Sequence, residues 1–189
     1  MKRLIVGISG ASGTILGVHL LQLLSTLPNI ETHLIISPAA CQALKLETDC
    51  ILREVQGLAD VAYDYRDIAA SISSGSFKTV GMLILPCSIK TLSGIVNSYS
   101  DGLLNRAADV VLKERRRLVL GVRETPLHLG HLRLMTMATK MGAVIMPPMP
   151  AFYHRPIDLG DIINQTVNRM LDQFDIDLPQ DFFQRWQGA

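Results

Sequence analysis

The chain predicts an α/β fold, a mostly parallel sheet covered by helices on both faces. Short apolar runs recur at Leu4–Ile8, His33–Ile36, Gly81–Leu85, Leu118–Val122 and Ala143–Met146. The stretches between them are amphipathic and long enough for helices, and strands alternating with helices build a parallel sheet buried on both sides. Right-handed crossovers then gather the loops that follow the strands along one sheet edge. Such a three-layer arrangement is Rossmann-like or flavodoxin-like, and ligands of open sheets bind at that edge.

The first strand runs into Gly7-Ile8-Ser9-Gly10-Ala11-Ser12-Gly13, and the apolar-periodic stretch Ile15–Leu24 follows as a helix. Unpaired backbone N–H groups and the positive helix end facing such a turn make a ready anion site. The alternative is a tight turn of small residues chosen for packing. A Walker loop would need Lys-Ser/Thr after its last glycine, but Thr14-Ile15 follows Gly13. A dinucleotide fingerprint would need glycine where Ser9 stands and an acidic residue after the second strand. That strand, Glu31–Ile36, ends in Ser37-Pro38-Ala39-Ala40. A mononucleotide such as FMN therefore fits better than NAD.

The third strand is preceded by a small-residue loop, Ala69–Phe77, read as a surface loop or a flap over a ligand. It is followed by Pro86-Cys87-Ser88-Ile89-Lys90-Thr91. Asp101–Arg115 reads as a helix carrying Arg106 and Lys113 seven residues apart, hence on one face. Those two cations suit either a second phosphate or plain solvent exposure. The fourth strand ends in Arg123-Glu124-Thr125-Pro126, and the fifth in Pro147-Pro148-Met149-Pro150-Ala151-Phe152-Tyr153. Hydroxyls, cations, a carboxylate and a phenol thus recur just after the strands, which suits a phosphorylated and partly aromatic ligand.

At 189 residues the chain suits one domain, 1–189, with a sizeable core. Its hydrophobic fraction of 48% and mean hydropathy of +0.27 are high, yet no apolar run reaches the length of a membrane helix. The surplus apolar surface is expected between subunits of an obligate homo-oligomer. A net charge of +1 argues against nucleic acid, and the basic run Lys113–Arg117 reads as a solvated helix end. Three cysteines without metal spacing suit a reducing cytoplasm. His128 and His131 lack a Cys or acidic partner that would complete a metal set. Trp186 either packs in an interface or lies loose.

The residues are specific enough to carry a resemblance. Gly10-Ala11-Ser12-Gly13, Glu47-Thr48-Asp49, Ser71–Ser76, Pro86–Leu92, Asn105–Val110, Leu112–Arg116, Arg123–Leu127 and Pro150–Pro156 follow one another in the order seen in flavin prenyltransferases of the UbiX type. The chain resembles that family along essentially its whole length. The superfamily also holds flavin-dependent cysteine decarboxylases. The resemblance implies reduced FMN as acceptor and dimethylallyl monophosphate as donor. The prenyl group is joined to flavin N5 and C6, phosphate leaves, and no metal is required. The product serves a partner decarboxylase, typically in ubiquinone synthesis, and the family forms homo-oligomers, commonly dodecamers.

Carried onto this chain, the resemblance puts FMN against Gly10, Ala11, Ser12, Ser37, Ser88, Ile89, Lys90, Thr91 and Arg123. The prenyl phosphate is expected at Arg106, Lys113, Tyr153 and Arg169, the last two reaching over from the C-terminal part or a neighbouring subunit. Glu47 and Glu124 look like the family's acidic pair, and Ser12 and Lys113 join them as catalytic candidates. Fixed cations and hydroxyls suit the charge that develops on a departing phosphate. A carboxylate held near its working pKa suits the accompanying proton transfer. Two other readings remain at this point. One is an FMN-dependent decarboxylase of cysteine-like or aromatic acid substrates, and the other is a flavin-binding subunit without catalysis.

Overall fold

A computed structural model describes residues 1–188. Six parallel strands form one sheet in the order β3-β2-β1-β4-β5-β6. They are β1 (Lys2–Ile8), β2 (Ile30–Ile36), β3 (Val61–Tyr63), β4 (Gly81–Cys87), β5 (Arg117–Val122) and β6 (Val144–Ile145). The helices are α1 (Thr14–Leu24), α2 (Pro38–Glu47), α3 (Leu52–Gly57), α4 (Ile89–Val96), α5 (Leu103–Lys113), α6 (Leu129–Lys140) and α7 (Leu159–Leu171). The chain winds outward from β1 in one direction and from β4 in the other. Their boundary is the topological switch point, where open sheets leave a crevice beyond the strand ends.

The central strands are apolar on both faces, so their side chains divide by period two between two cores. Leu4, Val6 and Ile8 of β1 join Leu83 and Leu85 of β4 beneath α1, α2 and α7. Ile5, Met82 and Ile84 face the opposite way, into a core closed by α4, α5 and α6. Each such side chain contributes about 1.5–3 kcal/mol by leaving water, which makes the switch point a rigid platform.

Five of these strands lie on the five apolar runs, though β6 keeps only two residues. The sixth, β3, carries no apolar run. An edge strand has one neighbour, and polar contacts hold its start: Thr32 N and Oγ1 donate to Asp60 Oδ2 at 2.7 and 3.0 Å. The helix read over Asp101–Arg115 is shorter at both ends. It stops at Lys113, and Arg115 turns into the left-handed region at φ 57°.

Candidate functional site

The two loops of the switch point are tied by one buried hydroxyl. Ser9 Oγ donates to Pro86 O at 3.1 Å and accepts from Ser88 N at 2.8 Å. Two helices start beside this tie, each with a serine as its N-cap. Ser37 Oγ accepts from Ala40 N at 3.2 Å at the head of α2, and Ser88 Oγ accepts from Thr91 N at 3.2 Å at the head of α4. Pro38 at the first position of α2 fits because that position has no intrahelical use for an N–H. Both helices thus present their positive ends to the crevice, a cavity of about 1060 Å³.

Gly10, Ser37, Ser88, Ile89, Lys90, Thr91 and Glu124 line that cavity. Its volume and donor set fit FMN: hydroxyls and helix starts for a phosphate, and an apolar remainder for a ring system. Ala11, Ser12 and Arg123 are not part of the lining, although Arg123 N anchors the rim by donating to Cys87 O at 3.0 Å. Lys90 is less free than expected. Its Nζ pairs with Asp101 Oδ2 at 3.0 Å, and Tyr65 OH donates to Asp101 Oδ1 at 2.9 Å. Burial and the adjacent Asp101 carboxylate push the Tyr65 hydroxyl up to about 12. The Lys90 hydrogen bond holds Asp101 below the usual carboxylate range.

Tyr65 and Asp101 carry no signal of this role in the sequence. Tyr65 follows β3, a strand without an apolar run, and Asp101 reads there only as the start of a helix. Asn105, in α5, also lines the cavity, and its Nδ2 donates to Tyr99 O at 3.1 Å.

The turn before α1 differs from the open anion site expected there. Gly13, at φ 95° where glycine is favoured, donates its N–H to Glu47 Oε2 at 2.9 Å. Thr14 N and Oγ1 donate to the same oxygen at 3.0 and 2.9 Å. The anion at this helix end is the protein's own carboxylate. Partial burial pushes the Glu47 carboxyl up, but hydrogen bonds from Ser12, Thr14 and Gly13 outweigh it and hold it below the usual range. Glu124 stands apart on the crevice rim. Its Oε1 accepts from Thr125 N at 3.1 Å, and among the described residues no ion pair to Arg123 or Arg133 restrains it.

The four residues expected at the prenyl phosphate fall in two other places. Arg106 and Lys113 do share one face of α5, and that face meets the serine loop. Arg106 Nε donates to Ser73 O at 3.2 Å and Nη1 pairs with Asp109 Oδ2 at 3.0 Å, while Lys113 pairs with Glu114 beside Gly75. Arg116 closes the loop from below, donating to Phe77 O at 2.8 Å and Gly75 O at 2.6 Å. The run Lys113–Arg117 is therefore a clamp on the serine loop as well as a helix end.

Tyr153 and Arg169 line a separate cavity of about 710 Å³ with Phe183, Arg185 and Trp186. The crevice lining contains none of Arg106, Lys113, Tyr153 and Arg169, so within one chain these four do not share a cavity with Ser37, Ser88 and Glu124. The His128 and His131 rings lie with centroids 3.6 Å apart, tilted by 35°, and His128 Nδ1 accepts from Gly130 N at the head of α6. No cluster of three or more metal-ligating side chains occurs among the described residues. No helix among them is long and apolar enough to cross a membrane.

Comparison with known proteins adds to this geometry. The model of the flavoprotein family matches residues 1–165. Flavin prenyltransferase UbiX of Escherichia coli K12 is 77% identical over 189 residues, covering all of both chains. The crystal structure of AnUbiX in complex with FMN and dimethylallyl pyrophosphate superposes with a TM-score of 0.96 at 49% identity, covering 100% of this chain and 98% of that one. A dodecameric FMN-dependent UbiX-like decarboxylase from Escherichia coli O157:H7 superposes with a TM-score of 0.95 at 52% identity over the whole of both chains.

Proposed function

Because the chain belongs to the flavoprotein family and, within it, to the flavin prenyltransferases, we propose that it joins a dimethylallyl group from dimethylallyl monophosphate to N5 and C6 of reduced FMN. The allylic C–O bond breaks with its electron pair going to the departing phosphate as N5 bonds the allyl carbon and loses its proton. The prenyl double bond then supplies the second bond, to C6, one of its carbons taking up a proton while C6 gives one up. Reduced FMN supplies the electron-rich ring that accepts the allyl carbon. The observation that carries this reading is the pair of serine-capped helix starts, Ser37 and Ser88, facing one crevice with Glu124 on its rim.

The residues of this chain divide the work. The starts of α2 and α4, with Ser37, Ser88, Ile89, Lys90 and Thr91, hold the flavin's phosphate end, and the turn Gly10, Ala11, Ser12 with Arg123 frames the ring. Arg106, Lys113, Tyr153 and Arg169 hold the prenyl phosphate, brought to the crevice from neighbouring copies in a homo-oligomer, which we take as a dodecamer. Glu124, free of ion pairs among the described residues, moves the proton at the phosphate or at flavin C6. Glu47, fixed on Ser12 and Thr14, keeps that side of the site charged.

Exposed apolar side chains at Leu129, Leu132, Met137, Met149, Ile157 and Leu159 support the oligomer. Residues 1–189 are read as one flavoprotein domain, supported by the single sheet. The free thiols Cys41, Cys50 and Cys87 favour the cytoplasm. The product is passed to a decarboxylase, in keeping with the ubiquinone pathway.

The deciding experiment is anaerobic incubation with reduced FMN and either dimethylallyl monophosphate or the pyrophosphate, read by mass spectrometry of the flavin. Gain of one C5 unit with phosphate release is expected from the monophosphate. Unchanged bound flavin with both donors would overturn the transferase and leave an FMN-dependent decarboxylase or a flavin carrier.

A further inference from the structure

We propose that Arg185 is a positioning residue that sets the anion affinity of Arg169 through a carboxylate they share, Asp172. This role rests on Tyr153 and Arg169 holding the prenyl phosphate, as proposed above. Arg169 lies in the last turn of α7, and Asp172 follows at the start of the short turn Asp172–Phe174. Asp172 Oδ2 accepts from Arg169 Nη1 at 2.5 Å and from Arg185 Nη1 at 2.9 Å, while its Oδ1 accepts from Arg185 Nη2 at 2.9 Å. Arg185 thus takes Asp172 with the forked geometry that guanidinium and carboxylate share, and Arg169 receives only one oxygen.

The other edge of Arg185 grips Asp181 on its own segment, with Nε to Oδ2 at 2.5 Å and Nη2 to Oδ1 at 2.6 Å. Two carboxylates and two guanidiniums are in balance, but unequally divided. Arg185 is doubly held, and Arg169 keeps most of its donors for an anion in the cavity that both line.

The same grip seats the C-terminal segment. Phe182 N donates to Asn168 Oδ1 at 3.3 Å, and Phe183 is buried. Phe183 and Trp186 then stand edge-on to Tyr153, with ring centroids at 6.5 and 6.1 Å. Without Arg185, Asp172 has no competitor for Arg169. The carboxylate closes on Arg169 in a forked pair of their own, and the arginine is withdrawn from the phosphate. Arg185 therefore acts at a distance from the reacting atoms.

The test is steady-state kinetics of the full chain with reduced FMN, varying dimethylallyl monophosphate, for R185Q, R185K, D172N and the double variant D172N/R185Q. Losing a charge-assisted phosphate contact predicts a KM about tenfold higher for R185Q, with flavin affinity unchanged. R185K keeps the charge without the fork, so its KM falls between R185Q and the parent. The double variant recovers part of the loss, since a neutral amide in place of the Asp172 carboxylate no longer captures Arg169. Simple loosening of the segment would not give that recovery. Trp186 is the sole tryptophan, so its emission reports separately on seating of the segment in each variant.

A KM for R185Q within twofold of the parent overturns the proposal, as does a double variant no better than R185Q. An R169A control separates the two levels. If R169A raises KM while R185Q does not, only the role of Arg185 falls. If R169A leaves KM unchanged, the phosphate assignment falls and takes the role of Arg185 with it.

Discussion

Ser9 and Ser88 are joined across the switch point by a hydrogen bond of 2.8 Å from the Ser88 amide to the Ser9 hydroxyl, which in turn donates to Pro86 O. Ser9 is completely buried. It stands where a dinucleotide-binding loop would carry glycine, and its hydroxyl locks the crevice floor. Ser9→Ala leaves the part-buried Ser88 amide without its partner, which costs about 1–3 kcal/mol, while Pro86 O keeps the Ser9 amide at 3.1 Å. The midpoint of thermal unfolding is expected to fall and FMN to bind more weakly. An alanine variant with both properties intact would show that this hydroxyl locks nothing.

Glu124→Gln keeps the side chain's shape and its contact with Thr125 but cannot exchange a proton. Flavin affinity is expected to hold while turnover falls by about 10²–10⁴, the usual contribution of a general acid or base. Flavin titration beside single-turnover kinetics separates the two effects. Parental turnover in the variant would take Glu124 out of the chemistry.

Glu47 has a pH signature of its own. Its folded carboxyl is held below the ordinary value, so the folded state binds fewer protons than the unfolded chain in acid. The stability it contributes is complete above about pH 4.3 and is lost as pH falls through the depressed folded value. Denaturation midpoints measured down the acid range should flatten in Glu47→Gln relative to the parent. Parallel curves would show that Glu47 is not the group responsible.

His33 works in a higher window. Burial holds its imidazole below the usual value, only partly offset by Glu31, whose Oε1 lies 3.1 Å from Nε2. Its Nδ1 lies 2.9 Å from Tyr63 OH, which contacts Ser71 Oγ at 2.8 Å, with Arg3 and Asp60 as the other charged neighbours. Protonation is thus easier in the unfolded chain, and stability is expected to be lost as pH falls below about 6.5. His33→Gln should lose the slope that opens below about pH 6.5 while keeping the one that belongs to Glu47.

Gly75→Ala probes the serine loop. A methyl group there would run into the ends of the Glu114 and Lys113 side chains, which are flexible. Stability should change by no more than about 0.5 kcal/mol, as for a surface substitution. Turnover should fall, because Lys113 must move. A variant with unchanged kinetics at limiting prenyl donor would show that the position of Lys113 is immaterial.

The parts of this molecule that can be read in the chain are those whose cause is local. Leu4–Ile8 and Gly81–Leu85 announce buried strands because each residue must be apolar on a sheet covered on both sides. Ser37 and Ser88 can be placed at the crevice because topology alone carries residues after strands to one edge. What stays hidden depends on long-range contact. Glu47 caps a helix that begins 33 residues earlier, Asp60 pins β3 through Thr32, and Arg185 reaches Asp172 only after the chain has turned back on α7. Spacing pairs Arg106 and Lys113 on one face, but it cannot say that the face meets Ser73 and Gly75.

The Glu47 carboxylate on the head of α1 has a bearing on ligand choice. A doubly wound fold offers three helix heads near its centre, and a dinucleotide uses the first of them for its pyrophosphate. Here that seat is filled by a built-in counter-ion, while the heads of α2 and α4 open on the crevice. A bridging pyrophosphate laid on the head of α1 would meet a fixed negative charge, so that helix start is closed to the grip a dinucleotide relies on.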